Sequence, residues 1–247
     1  MNKYAFIGLL VFALGFHEVQ AQNTNAKPAY QMINSMMVKP KRGMEKKFEQ
    51  GVLAHIEQFH KSGPNRARLA VISEGFRSDG WYVWTMGPTT YTELDRAPQG
   101  EAKHDEDWDK NVDIYVEQYD ENFLWKLQDE ISYTPADYNP KNLDVWIIDL
   151  KPGMRFEFGE LMKKWKTMFE QKKYPYSQRV FYNELWNRRG MDVSIAFSFD
   201  KYADFDLDIK FKEDYESIFG PGSHAAFWRS WNNCVENTTE HMRKFLN

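Results

Sequence analysis

The sequence predicts an α+β protein made of two tandem copies of one unit, packed as a pseudo-twofold barrel of antiparallel sheet with helices outside. Three observations predict it. A segment reading Lys-Pro, then Gly-Met-x-x-x-Phe, occurs twice: Gly43 and Phe48 recur as Gly153 and Phe158, each 110 residues on. Both copies of that segment separate a short apolar run from a helical apolar stripe, so each marks a strand giving way to a helix. Finally, the predicted strands carry large apolar groups on both faces, as in Trp81, Val83 and Thr85 against Tyr82, Trp84 and Met86. Helices cover one face of such a sheet, and a second sheet must cover the other.

In chain order, Met1-Asn2-Lys3 is a short positive start, Tyr4 to Phe16 is an apolar run, and Val19-Gln20-Ala21 offers a small-residue cleavage site. This is the pattern of a secretory signal peptide over residues 1–21, too short for a spanning helix. The expectation is export to a bacterial periplasm or beyond, with no membrane association after cleavage. Residues 22–29 read as a polar leader, 30–130 as the first repeat, 131–142 as a linker and 143–247 as the second repeat.

Within the first repeat, Tyr30 to Val38 reads as a strand buried on both sides, which Pro40 and Gly43 end. Phe48, Val52, Ile56 and Phe59 then follow a helical stripe, which Ser62-Gly63-Pro64-Asn65 stops. Arg68 to Phe76 and Trp81 to Met86 form a hairpin through Asp79-Gly80. The spacing of Trp108, Val112, Tyr115, Val116, Tyr119 and Phe123 predicts one helix over Asp105 to Leu127. In the second repeat, Leu143 to Leu150, Met154 to Lys172, and the hairpin Arg179 to Trp186 with Asp192 to Phe199 repeat that order. Trp108, Val112 and Glu117 match Trp231, Val235 and Glu240 at 123 residues, which places an insertion between about Asp206 and Gly222. The chain is expected to end after this last helix, with no closing strand in the second copy.

Composition narrows the function. The net charge is −4 with both signs mixed along the chain, so no basic stripe marks a nucleic-acid binder. Cys234 is the only cysteine, so a packed core rather than disulfides must hold an exported fold together. Aromatics make up 16% of residues, with nine tryptophans, enough to line a cavity as well as fill a core. Glu74 and Glu184, at equivalent strand ends, are the candidate catalytic carboxylates; buried, they would serve as general acids or bases. The bland reading makes them exposed strand ends or ion-pair partners. Trp84, Tyr182 and Trp186 on the hairpins, with His55 beside the helical stripe, are the candidate ligand contacts. His55 and His60 stand five apart on one helix and are not expected to share a face, so no metal site is predicted. His104, in a charged loop, and His224, after Gly220-Pro221-Gly222, are the loop alternatives to His55 as a ligating histidine.

The strand-Lys-Pro-Gly-x-helix pattern, the aromatic hairpins and the late tryptophan-bearing segment together resemble the dimeric α+β barrel superfamily. That group includes NIPSNAP-like, antibiotic-biosynthesis monooxygenase-like and chlorite dismutase-like proteins. The resemblance spans nearly all of the mature chain as a pattern of elements, without a catalytic motif. It implies two ferredoxin-like repeats and a small apolar or aromatic ligand held between sheet and helices. It also implies two enzymatic alternatives, a cofactor-independent oxygenase or a haem enzyme using a helix histidine such as His55. A protein-interaction module using the 206–222 insertion and an open sheet edge is the remaining reading.

Overall fold

The computed structural model describes residues 30–247 apart from 97, 99, 186–189, 207 and 208. The expected signal peptide, the leader and Trp186 lie outside the described residues. Eight strands close into a barrel. The first half contributes β1 (Met32–Pro40), α1 (Glu45–Phe59), β2 (Ala67–Gly75), β3 (Tyr82–Thr89), α2 (Tyr91–Leu94), α3 (Ala102–Asn111) and β4 (Val116–Leu127). The second contributes β5 (Asn142–Leu150), α4 (Arg155–Lys172), β6 (Arg179–Asn183), β7 (Val193–Phe199), α5 (Phe211–Phe219), α6 (Ser223–Cys234) and β8 (Val235–Phe245). Around the barrel the order is β1-β3-β2-β8-β5-β7-β6-β4, with every pairing antiparallel.

Each half is therefore a four-stranded ferredoxin-like sheet, β4-β1-β3-β2 or β8-β5-β7-β6. The halves join where β2 meets β8, from Ala70 opposite Phe245 to Gly75 opposite His241, and where β4 meets β6 at Trp125 opposite Asn183. Closure uses up the sheet edges. The open edge required by an interaction module is thus absent from the described strands.

The repeated Lys-Pro-Gly-Met segment does what its spacing predicts. Gly43 and Gly153 both have φ of +82°, a left-handed turn that a side chain would strain, and α1 and α4 start just beyond them. Phe48 and Phe158 then enter the core at equivalent places, both fully buried. Burial of such a side chain stabilises by about 1.5–3 kcal/mol. Helices pack outside the sheet in two separate cores. One joins α1 and α3 to Val38, Leu69, Tyr82, Trp84 and Met86; the other joins α4, α5 and α6 to Ile148, Val180, Tyr182, Val193 and Ile195.

Inside the barrel, Phe123, Trp125, Leu127, Leu143, Val145, Ile147 and Phe181 pack together, with Ile72, Trp81 and Val83 alongside. One end opens into a cavity of about 300 Å³ that Arg68, Arg179 and Arg243 line with Trp125 and Phe245. The Arg243 Nε–H donates to His241 Nε2 at 2.8 Å there.

Three sequence expectations are corrected. The segment over 105–127 is not one helix: α3 ends at Asn111, a short 3-10 turn follows, and β4 begins at Val116. Val116, Tyr119 and Phe123 fall at helical spacing by coincidence, whereas Phe123, Trp125 and Leu127 alternate and all face the barrel interior. Pairing with β1 on one side and β6 on the other gives this backbone two sets of partners, which overrides local preference. The second copy likewise does have its closing strand, β8, pairing with β5 and β2. Trp108 and Trp231 do hold equivalent places, since Val112 and Val235 cap their helices through those tryptophans' carbonyls. Glu117 and Glu240 do not: Glu240 lies opposite Trp146 in β5, and the residue opposite the equivalent Met36 in β1 is Asn122.

Candidate functional site

The second half carries a cavity of about 200 Å³ between its sheet and its helices. Its floor is the outer face of β5 and β7. Asp144 and Trp146 stand two apart on β5, and Phe197 of β7 lies directly opposite Asp144, so all three share that face. Trp165 and Phe169, four apart on α4, supply the roof. Phe199, Phe205, Ile209 and Phe211 ring the mouth, with Tyr176 and Asp204. The 206–222 insertion explains this wall. It forms α5, whose Tyr215 is 2% exposed and packs on Phe227 of α6 at 5.4 Å between ring centroids.

The aromatic box is tightly interlocked. Trp165 lies 5.9 Å from Trp146, 5.7 Å from Phe197, 5.5 Å from Phe211 and 5.5 Å from Phe227, mostly edge to face. That arrangement sets ring edges against ring faces, as their quadrupoles favour. Three buried polar atoms around it lack a well-aligned hydrogen bond, Asp144 Oδ1, Trp146 Nε1 and Trp165 Nε1, although the Trp146 indole and the Glu240 carboxyl both lie close enough to act on the Asp144 carboxyl. Leaving such a group unpaired costs about 1–3 kcal/mol. One acceptor and two donors gathered around an aromatic cavity are thus set to meet a molecule that is flat, apolar and sparsely polar.

Asp144 is the unusual group. It is buried, and loss of hydration raises its carboxyl toward about 7; the Glu240 carboxyl on β8 adds to the rise by like charge and by a hydrogen bond between the two carboxyls, which the Trp146 indole N–H partly opposes. A carboxyl poised near neutral pH can both take and return a proton. Sequence reasoning missed it, although a signal was present: Asp144 is one of two acids, with Asp149, inside the otherwise apolar run Leu143 to Leu150.

The residues singled out from sequence lie elsewhere. Glu74 is exposed at the end of β2. Glu184 is half-buried, 3.8 Å from Lys126 Nζ, and accepts from the Tyr91 hydroxyl at 3.4 Å, which is its ion-pair reading. Tyr182 is buried beneath α4, with the Arg155 guanidinium 4.1 Å from its ring centre. Trp84 packs in the first half, 5.2 Å from the His60 ring and 5.4 Å from Trp108.

His55 is also in the first half, and here the expectation that it cannot meet His60 fails. Residues five apart on a continuous helix diverge, but α1 ends at Phe59. His60 is its cap, with φ −131° and ψ 23°, and turns back toward His55. His104, expected on a loop, instead lies on α3, as His224 lies on α6; His104 Nε2 is 3.1 Å from His55 Nε2 and 3.1 Å from His60 Nε2, and all three rings are buried. Burial pushes the imidazoles of His55 and His60 below their usual range, His60 to about 4. A haem held by His55 finds no support in this geometry. One ring nitrogen faces Asp107 and the other His104, and among the described residues no histidine lines the second-half cavity.

Comparison with solved structures agrees with this architecture. A Lactobacillus acidophilus protein provisionally named a monooxygenase superposes with a TM-score of 0.58, at 9% identity over 87% of this chain and 94% of its own. An anthrone oxidase-like protein gives 0.58 at 9% identity, over 90% of this chain and 93% of its own. Chlorite dismutase from Candidatus Nitrospira defluvii, in complex with imidazole, gives 0.53 at 8% identity, over 88% and 92%. The chain has the dimeric α+β barrel fold. No family model and no curated protein matches the sequence.

Proposed function

We propose that the second-half cavity binds a small flat molecule bearing an acidic hydroxyl, a phenol or an enol, and that Asp144 takes its proton. The observation that carries this reading is the buried Asp144 carboxyl, its Oδ1 without a well-aligned hydrogen bond, at the edge of an aromatic box. Tryptophan and phenylalanine rings sandwich a flat molecule, and the indole N–H groups offer donors to its oxygens. About 200 Å³ is below the roughly 300–1,000 Å³ of pockets for drug-sized ligands, which restricts the occupant to a few fused rings at most.

Deprotonating a phenol or enol leaves an electron-rich anion, the form of such a molecule most readily oxidised by oxygen. The oxidase and monooxygenase names among proteins of the same fold support oxidation of such an anion by oxygen as the reaction. The positive start, apolar run and Val19-Gln20-Ala21 support export as part of the same proposal, with Gln22 as the first residue recovered from the exported protein.

Titration with 1-naphthol, read by tryptophan fluorescence, tests binding; oxygen uptake with anthrone tests turnover. The expected result is saturable quenching that Trp165→Phe weakens, and oxygen uptake that Asp144→Asn reduces at least about 100-fold, the usual scale for a lost general base. Equal quenching and equal uptake in both variants would overturn the proposal.

A further inference from the structure

We infer that His55, His60 and His104 form a binding site for a first-row divalent cation of the zinc type, clamping α1 to α3. Hydrogen-bond accounting carries the argument. His60 Nδ1 is 2.8 Å from the Asn65 carbonyl oxygen, which can only accept, so that nitrogen bears the proton. His55 Nδ1 is 2.7 Å from Asp107 Oδ2, and His104 Nδ1 is 2.8 Å from Asp105 Oδ1; ionised carboxylates also only accept. With all three Nδ1 atoms facing oxygen acceptors on the outside, the three Nε2 atoms turn toward one another, the side from which each ring can offer a lone pair to a cation. At 3.1 Å those nitrogens need either a shared proton or a cation between them, and one proton on His104 Nε2 cannot point squarely at both neighbours, whereas one cation serves all three.

The spacing suits a metal ion. A cation about 2.0–2.1 Å from each imidazole nitrogen in a tetrahedral shell places those nitrogens roughly 3.3 Å apart, close to the two 3.1 Å separations here. All three candidate ligand atoms fall within 4.8 Å of one another. An oxygen acceptor behind each ring fixes both tautomer and orientation, as the supporting partners of metal-bound histidines do. Neutral imidazole favours zinc and its neighbours over calcium or magnesium.

The fold is arranged to bring these rings together. Gly51, mid-way along α1, lies against α3 so closely that a Cβ there would sit 2.0 Å from the Asn111 carbonyl oxygen. The missing side chain lets the two helices approach. Phe59, Trp84 and Trp108 then close around the rings, at 4.9, 6.2 and 5.1 Å from His55. Three protein ligands leave one coordination position for a small ligand such as water.

The test uses the full chain, stripped with a chelator and then titrated with Zn²⁺ or Co²⁺. One ion per chain should bind, the Co²⁺ form should show the intense visible bands of a four-coordinate centre, and either metal should raise Tm. His104→Gln and His60→Gln should each weaken binding at least 100-fold and remove the Co²⁺ bands, while His224→Ala, outside the cluster, should leave both unchanged. If either cluster variant fails to fold, the other and the wild-type Co²⁺ spectrum decide. Wild-type protein without saturable binding of one ion, or cluster variants that bind as wild type does, would overturn the inference.

Discussion

The two halves of this barrel share a backbone plan and differ in what they place between sheet and helices. His55 in the first half and Trp165 in the second are 110 residues apart and occupy matching helix positions; His104 and Phe227 correspond at 123, as do Trp108 and Trp231. The contacts correspond too: His55 meets His104 and Trp108, as Trp165 meets Phe227 and Trp231. On the sheet, Asp144 and Glu240 in the second half stand where the first half has Asn34 and Asn122. One half therefore gathers three imidazoles around a point, while the other surrounds a cavity with aromatic carbon and sets the buried Asp144 carboxyl in its wall. Backbone equivalence sets where a site can be; the chemistry is decided by a handful of side chains.

Substitutions at matched positions test that contrast, and the largest effect should come from Trp165→Ala. It removes the central ring of the box and should cost about 3–5 kcal/mol, read by chemical denaturation. The matched His55→Ala should cost chelator-treated protein less, and should abolish the metal-induced rise in Tm. Equal costs and an unchanged rise would break the comparison.

A smaller effect separates two helical glycines. Gly51→Ala drives a Cβ into the Asn111 carbonyl and should destabilise by about 1–3 kcal/mol. Gly159→Ala, where the added carbon would meet only the Tyr182 hydroxyl at 3.5 Å, should stabilise by about 0.4–1 kcal/mol.

Asp144 gives a pH signature. Its folded carboxyl is raised toward 7 from an unfolded value near 3.9. Between those values the folded state holds more protons than the unfolded one, so this group's contribution to stability falls as pH rises through the window. Below about pH 4 the carboxyl is protonated in both states and the cost vanishes. Relative to wild type, Asp144→Asn should therefore gain stability from pH 4 to pH 8, measured as a difference between denaturation curves. A flat difference would show that the carboxyl is not held protonated. The smallest effect is expected at Glu74→Gln: this exposed strand end should change stability by less than about 0.5 kcal/mol and leave 1-naphthol binding untouched.

How much of this was legible in the sequence follows from which interactions are local. The α1 stripe of Phe48, Val52 and Ile56 and the glycine turn before it depend on neighbours a few residues away, and both were readable. β8 was not, because Glu236, Asn237, Thr238 and Glu240 face solvent and leave little apolar alternation to detect. Its strand state comes from β5 and β2, nearly a hundred residues or more away. The carboxyl of the cavity sat in plain view inside a predicted strand, yet its raised proton affinity depends on burial under α4. The histidine cluster was the least readable feature. His60 turns inward only because the helix stops, and His104 reaches it only because Gly51 lets α3 come close.

The covalent link between the halves has one more consequence. Where such a barrel is built from two identical chains, symmetry writes every substitution into both halves at once. A histidine that gathers a cation in one would appear in the other, whether or not it suited the chemistry there. Here one chain crosses from β4 to β5 and closes at β2 and β8, so each half answers to its own codons. The linker is thus what allows an aromatic cavity and a histidine cluster to exist in one barrel, each free to be lost or improved without the other.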